Sequence, residues 1–357
     1  MPRPIRATIS AAALAHNLTV AQRRAEGAKV WAVVKANAYG HGVERAARAF
    51  ATADGFAVLD FHEALRLRVA GVTKPILMLE GYFKPADLEL LPRHALTPVI
   101  HNAAQVEMLK GSALAGEIDV YLKVNSGMNR LGFGVEGLRP AYNAIRMHPQ
   151  VKNVTFMTHF ADADGVGGVK AQLEWFNQLT KSFEIQGRSL ANSAALVRFP
   201  EVRGDWVRPG IMLYGCSPFG DQSAEQLGLK PAMTLSSEII AIQQLQPGER
   251  VGYGFSYEAV GVMKVGIVAC GYADGYPRHA PTGTPVLVNG KRARLVGRVS
   301  MDMLSVDLSD HPEAAIGTPV TLWGEGLSAD EVAGASGTLS YELLCKLTAR
   351  VPVTEVP

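Results

Sequence analysis

Val30-Trp-Ala-Val-Val-Lys-Ala-Asn-Ala-Tyr-Gly-His-Gly42 is the stretch that decides the fold. An apolar, β-branched run at 30–34 reads as a strand, and a loop of Ala, Asn, Tyr and Gly follows it directly. Lys35 stands at the junction, held still and partly out of water. Burial disfavours the ammonium form, lowers its pKa and makes the amine available for Schiff-base chemistry. The plainer reading is a solvated charge on a strand rim, and the rest of the chain decides between the two.

Outward from that strand, short apolar runs alternate with helical patterns up to about residue 213. The candidate strands are 30–34, 56–59, 76–79, 97–100, 118–124, 154–158, 188–191 and 206–208. Helical patterns lie between them at 43–53, 61–70, 85–91, 103–110, 136–147 and 171–184. Eight strands alternating with helices predict an α/β fold of the (β/α)8 TIM-barrel type rather than an open sheet. The texture changes at 215–230, where Pro218, Gly220, Asp221 and Gly228 mark a linker. Beyond it, β-type runs fall at 233–243, 262–269, 285–288, 293–299, 303–308 and 319–323. Asn289-Gly290 predicts a tight hairpin, because both central residues must take positive φ. Segments 328–335 and 340–348 read as helices and 351–356 as a closing strand. The expected domains are a barrel over 1–228 and a mainly antiparallel β domain over 229–357, with the first ten or so residues a candidate to pair with the latter.

Bulk properties narrow the function. At 357 residues, with 48% hydrophobic and 19% charged residues, the chain has ample material for two cores. A net charge of +2 with no basic block gives no case for nucleic acid or an anionic membrane surface. Cys216, Cys270 and Cys345 are odd in number, widely spaced and set among apolar neighbours, so they read as small buried hydrophobes in a reducing compartment. Ala11–Ala15 follows no apolar segment of signal type, and Ile9, Leu14 and Leu18 fit one face of a short helix. No apolar run is long enough to span a bilayer, and a cytoplasmic protein is expected.

The reactive side chains gather at one end of the expected barrel. Lys35 follows the first strand, Lys123 and Arg130 end or follow the fifth, and His159 ends the sixth. Asn192 and Ser193 follow the seventh, and Arg208-Pro-Gly-Ile211 follows the eighth. These are carboxyl ends of strands, where barrel enzymes build their sites, and the last two loops are the usual phosphate position. Ser193 offers a hydroxyl, Gly210 and Ile211 offer amides, and Gly210 lets the backbone approach closely. A nucleophilic lysine and a phosphate cradle in one cavity describe a pyridoxal-phosphate (PLP) site. Asp274 and Asp302 are carboxylates without the spacing of a metal cluster.

With these residues in view, the chain resembles the bacterial alanine racemases over nearly its full length. The resemblance is carried by 33–42 and by Lys-Val-Asn-Ser-Gly-Met-Asn-Arg-Leu-Gly (123–132), Thr-His-Phe-Ala-Asp-Ala-Asp (158–164) and Ala-Asn-Ser-Ala-Ala (191–195). Trp-Val-Arg-Pro-Gly-Ile (206–211), Val-Gly-Tyr-Gly (251–254), Gly-Tyr-Ala-Asp-Gly-Tyr (271–276), Gly-Arg-Val-Ser-Met-Asp (297–302) and Tyr-Glu-Leu (341–343) complete it. It implies interconversion of L- and D-alanine, with Lys35 carrying PLP as a Schiff base. It also implies two proton-transfer bases on opposite faces, Lys35 for the D face and Tyr253, from a partner subunit, for the L face. A free tyrosine is a poor base at neutral pH, so His159 and behind it Arg208 are the implied supporting chain. Arg208 facing the pyridine nitrogen keeps that nitrogen unprotonated, which favours quick reprotonation over side reactions.

The remaining implied roles are these. Tyr39, Ser193, Gly210, Ile211 and Tyr341 are phosphate ligands. Arg130 donates to the cofactor's phenolic oxygen and, with the Met301 amide, to the substrate carboxylate. Tyr272 and Tyr341 form an inner gate, and Asp164, Arg278 and Arg298 an entry corridor. Lys123 matches a lysine that is carbamylated in many relatives, although Asn125 stands where many have Asp. A head-to-tail homodimer follows, and so does a supply of D-alanine for peptidoglycan or a role in alanine breakdown. Three rivals stay open at this point. A barrel-type PLP decarboxylase needs an acidic partner for the pyridine nitrogen, a PLP carrier lacks a β domain, and a broader racemase has a wider pocket.

Overall fold

The computed structural model describes residues 3–357. Strand β1 (Arg6–Ser10) opens the chain, and a helix, Ala11–Ala25, follows at once. Eight parallel strands come next: β2 (Lys29–Val33), β3 (Gly55–Val58), β4 (Ile76–Met78), β5 (Leu96–Ile100), β6 (Ile118–Lys123), β7 (Val151–Met157), β8 (Arg188–Ser189) and β9 (Trp206–Val207). Around the sheet they run β8-β7-β6-β5-β4-β3-β2-β9. The seam between β8 and β9 is crossed by the Arg208 amide on the Ala191 carbonyl and by Ser189 Oγ donating to the Trp206 carbonyl, both at 2.9 Å. The result is the (β/α)8 barrel, with strand boundaries within one to three residues of those read from the sequence. Trp31 fills its interior, stacked on Trp206 at 4.1 Å and donating its indole N–H to Tyr121 Oη at 3.0 Å. Gly55 makes room for that ring, since a Cβ there would lie 2.2 Å from it.

The second sheet is mainly antiparallel. It holds β10 (Met233–Leu245), β13 (Met263–Val268), β14 (Pro285–Val288), β15 (Lys291–Arg294), β16 (Leu304–Asp307), β17 (Pro319–Trp323) and β18 (Val353–Val356), while β11 (Arg250–Val251) and β12 (Tyr257–Glu258) form a separate two-stranded ribbon. The thirteen-residue β10 is its spine, pairing with β1, β13 and β17. β1 lies between β10 and β18, antiparallel to one and parallel to the other. The β14–β15 hairpin turns at Asn289 (φ 48°) and Gly290 (φ 76°), the conformation its sequence demands.

Four sequence expectations need correction. Ile9 belongs to β1 and not to the helix bearing Leu14 and Leu18, because Ser10 caps that helix, its Oγ accepting the Ala13 amide at 3.1 Å. The run 293–299 is a strand only to Arg294, since Gly297 turns with φ of 74°. Residues 188–191 and 206–208 contribute only two ladder residues each. Cys216 and Cys270 are buried, but Cys345 is exposed. Asn17, buried in the first helix, ties down the linker through its amide, bonding Leu213 O, Lys230 O and Lys230 N. Asp274 is fully buried and ion-paired with Arg3 at 2.7 Å and Arg350 at 3.3 Å, an anchor of the β domain. No group of three or more metal-ligating side chains occurs among the described residues.

Candidate active site

A cavity of about 600 Å³ opens at the carboxyl ends of the barrel strands. Lys35, Tyr39, Lys123, Arg130, His159 and Ser193 line it, together with Arg208, Gly210, Ile211 and Tyr341. These are ten of the residues singled out from sequence, nine delivered by the ends of β2, β6, β7, β8 and β9 or the loops after them, and Tyr341 by the helix Ser340–Cys345 of the β domain. Each strand is short and buried, so its last residue emerges at the barrel mouth with little freedom. The loop carrying Arg130 folds back on β6, with Phe133 N bonded to Lys123 O at 2.9 Å and Asn125 N to Phe133 O at 3.0 Å. Asn125 organises that loop with its own side chain, its Oδ1 accepting from the Gly127 and Asn129 amides.

Charge in the cavity is unbalanced. Burial lowers the Lys35 pKa, and the Arg130 guanidinium lowers it further. Burial and the Arg208 charge bring Lys123 down to about 8. Burial, then Arg208, hold His159 well below the ordinary histidine range, so its imidazole is neutral at pH 7. Arg208 is buried, and burial takes even its guanidinium down to about 10. Its N–H groups bond neutral acceptors only: Ser189 Oγ at 2.7 Å, Thr158 O at 2.6 Å and Leu190 O at 3.2 Å. No hydrogen bond joins it to His159 among the described residues.

At the opposite end lies an anion cradle. The Gly210 amide donates to Ser193 Oγ at 2.8 Å, so that amide is already engaged and the serine's own proton is left to donate outward. A Cβ on Gly210 would sit 2.6 Å from Tyr39 Oη, so only glycine lets the phenol reach this edge. Burial pushes the Tyr39 phenol up, which keeps it a donor. Tyr39 stacks on Tyr214 at 4.7 Å, and Tyr341 leans on it at 6.0 Å.

Sequence reasoning missed Glu80 and Cys345, which also line the cavity. Glu80 follows the apolar run of β4 as Lys35 follows that of β2, so the same positional signal was available for it. Cys345 gave none, because a helical cysteine among leucines reads as core.

The other residues named from sequence sit elsewhere. Tyr253, Arg298, Met301 and Tyr272 form a second group on the β domain. The Arg298–Met301 segment runs between two turns, with the Tyr272 amide on Ser300 O at 3.1 Å and a Cβ on Gly254 lying 3.1 Å from Arg298 Nη1. Tyr253 is 69% and Met301 51% exposed, and neither lines the barrel cavity. Asp164 and Arg278 are exposed, Asp164 on the loop after β7 and Arg278 beyond the Tyr272 turn.

The donor set fits PLP. An unprotonated-prone amine, a buried arginine facing no carboxylate and a hydroxyl-lined cradle that tolerates no Cβ match an aldehyde, a pyridine nitrogen and a phosphate respectively.

This pairing of a lysine-bearing barrel mouth with an antiparallel domain defines a class, the two-domain barrel enzymes with a lysine after the first barrel strand. Residues 9–218 match the model of the alanine racemase N-terminal domain, and 232–355 that of the C-terminal domain. The chain is 54% identical to the alanine racemase of Ralstonia nicotianae over 362 residues, covering 100% of this chain and 96% of that one. It is 53% identical to that of Erwinia tasmaniensis over 354 residues and 99% of each. The crystal structure of the biosynthetic alanine racemase of Pseudomonas aeruginosa superposes with a TM-score of 0.97 at 49% identity, covering 99% of this chain and 100% of that one. The chain belongs to the alanine racemase family. No helix among the described residues is long and apolar enough to cross a membrane.

Lys123 supports a stability prediction. It is 9% exposed, and no hydrogen bond holds its ammonium among the described residues. The gap between 10.5 and about 8 corresponds to about 3 kcal/mol against the charged form. The unfolded lysine keeps its proton to higher pH, so the penalty is full below about pH 8 and fades towards 10.5. Lys123→Met should therefore raise the cofactor-free protein's unfolding free energy by about 2 kcal/mol at pH 7 in bicarbonate-free buffer. Urea titrations at pH 7 and 10 check this, since the advantage must shrink at the higher pH.

Proposed function

We propose that this protein racemises alanine, with PLP held at the barrel mouth on Lys35 and Tyr253 of a second copy completing the site. The observation that carries the reading is the shared cavity of a half-buried amine just past β2 and a buried arginine bonded only to neutral acceptors. PLP, when bound, supplies a conjugated electron-withdrawing ring that makes the α C–H of an attached amino acid acidic. Everything else falls to side chains of the chain itself.

Tyr39, Ser193, Tyr341 and the Ile211 amide would hold the phosphate end, and Gly210, its own amide on Ser193 Oγ, lets the backbone come close. Arg208 would serve the ring nitrogen and, keeping its own protons, would leave that nitrogen without one. Arg130 and the Met301 amide hold the substrate carboxylate. Lys35 Nζ would take or return the α-proton on the D face, and a pKa lowered by burial and by Arg130 favours its neutral, proton-accepting form. Tyr253 Oη does the same on the L face, bonded to the neutral imidazole of His159. The exposure of Tyr253 and its absence from its own cavity support a head-to-tail homodimer in which the 229–357 domain of one copy caps the 1–228 barrel of the other. Tyr272 and Tyr341 then narrow the entrance to a methyl-sized side chain, with Asp164, Arg278 and Arg298 lining the approach. Carbamylation of Lys123 turns its buried cation into an anion that orients Arg130. Its support is the amine's neutrality at mildly alkaline pH, and bicarbonate should remove the stability gap to Lys123→Met. The compartment is the cytoplasm, in keeping with three free cysteines, and the product D-alanine serves peptidoglycan precursors or the reverse flux serves breakdown.

The test is incubation of the PLP-loaded protein with L-alanine and other amino acids in deuterated water. Racemisation of alanine with α-deuterium uptake and no carbon dioxide is expected. Carbon dioxide release, or exchange without preference for alanine, sinks the reading.

A further inference from the structure

Four consecutive residues after Lys35 adopt left-handed backbone, none of them glycine, and the reading above makes no use of them. Ala36, Asn37, Ala38 and Tyr39 have φ of 54°, 52°, 54° and 50°. An L residue in that region crowds its Cβ against the next carbonyl, so such a run persists only where its surroundings over-determine it. The surroundings converge on one carboxylate. Glu63 Oε1 accepts the Asn37 amide at 2.8 Å, and Oε2 accepts the Leu59 amide at 3.4 Å. Glu63 is 7% exposed and sits in the first turn of the helix Phe61–Val69. Its own amide is capped by Asp60 Oδ1 at 2.9 Å, so the carboxylate stands on a fixed mount. The nearby guanidinium of Arg66 is paired with Glu44 at 2.8 Å and reaches Asn37 Oδ1 at 3.2 Å, not Glu63. Asn37 Oδ1 also takes the Val43 amide at 3.1 Å, closing the far side of the turn.

The turn separates two working points. Lys35 precedes it with the amine, and Tyr39 ends it with the phenol that abuts Gly210 in the anion cradle. Its shape therefore sets the distance between the two ends at which PLP would be gripped. We infer that Glu63 is a positioning residue for Lys35, clamping the left-handed turn through the Asn37 amide and thereby fixing the span from amine to phosphate cradle. A carboxylate suits the task, because a charged acceptor holds a backbone N–H more firmly than a neutral one. The inference rests on the PLP reading of the site and deepens it.

The experiment follows Schiff-base formation in the cofactor-free protein by its visible absorbance, using PLP and, separately, pyridoxal without the phosphate. Glu63→Ala should slow the reaction with PLP by about ten-fold or more, as a misplaced reacting group does, and erase the preference for PLP over pyridoxal. Glu63→Gln retains an acceptor for the Asn37 amide and should stay within about three-fold of the unaltered protein. Ala36→Gly, placed in the Glu63→Ala background, removes the Cβ from an exposed left-handed position and should recover about half of the lost rate on a logarithmic scale. A general loss of folding moves neither the PLP-to-pyridoxal ratio nor the glycine rescue. Unaltered rates and ratio in Glu63→Ala overturn the inference. Where that variant yields no folded protein, Glu63→Asp decides, since its shorter side chain keeps the charge but not the reach, and an unchanged ratio overturns the inference equally. Borohydride reduction of the unaltered protein with peptide mapping separates the two levels. A label away from Lys35 defeats the PLP reading itself, while a label on Lys35 with an indifferent Glu63→Ala defeats only the clamp.

Discussion

Lys35→Ala is expected to lower alanine racemisation by about four orders of magnitude or more, because on the proposed reading one substitution removes both a covalent anchor and a proton-transfer base. The cavity offers a competitor that sharpens the test. Lys123 also lines it, and its amine, at about 8, is neutral in part near physiological pH. Two features favour Lys35. It directly precedes the turn that delivers Tyr39 to the cradle, whereas Lys123 is pressed between the charges of Arg208 and Arg130. Lys123→Ala should thus leave the PLP absorbance in place, and Lys35→Ala should abolish it. Because the Lys35 pKa is lowered, its amine gains its neutral form at a lower pH than an ordinary lysine does. Trapping of PLP by borohydride should accordingly be complete at a pH where exposed lysines are still protonated. Turnover within ten-fold of the unaltered protein in Lys35→Ala, with the label on Lys123, would invert the assignment. The folded state should lose little, since a partly desolvated cation is removed and no hydrogen bond of Lys35 is broken among the described residues.

The barrel was legible because its strands are short, apolar and punctuated, and because a reactive group placed just after such a strand has only one face to occupy. Lys35, Lys123, His159, Ser193 and Arg208 all follow that rule, and all reach the cavity. Glu80 obeys it too, and was passed over only because the family motifs carry no acid there. Other features were beyond a linear reading. The pairing of the first residues with the β domain is expected from the sequence, but the register of β1 on β10 and β18, more than two hundred residues away, leaves no local trace. The left-handed turn has no glycine to announce it, since Ala-Asn-Ala-Tyr suits a right-handed helix equally well, and the contacts that hold it, the Glu63 carboxylate on the Asn37 amide among them, come from elsewhere in the fold. Engagement of the Gly210 amide by Ser193 is likewise a contact between two loops that no motif specifies. The hairpin at Asn289-Gly290 is the opposite case, where the local preference and the global fold agree.

Tyr253→Phe is expected to cost racemisation about 10³-fold while sparing exchange on one face, since it deletes a single base and leaves the ring and its packing in place. With the L-face proton carrier gone, Lys35 still serves the D face, so D-alanine should take up solvent deuterium in the variant while L-alanine does not. The placement of Tyr253 makes a stronger test available. It is 69% exposed, carried on a short turn between β11 and β12, and lies outside the cavity that holds Lys35 of the same protomer. If it works in the partner's barrel, two individually dead proteins repair one another. A dimer of one Lys35→Ala chain and one Tyr253→Phe chain has one site lacking both groups and one site lacking neither. Equal mixing under conditions that exchange subunits gives half mixed dimers, each with one intact site of two, and so roughly a quarter of full activity. Had Tyr253 served its own barrel, every site in the mixture would lack one base and nothing would return. A recovery near that quarter, appearing with the time course of subunit exchange, therefore reports both the role of the phenol and the chain that supplies it. Its failure in a mixture proven to contain mixed dimers would return Tyr253 to the surface and leave the L face without a base.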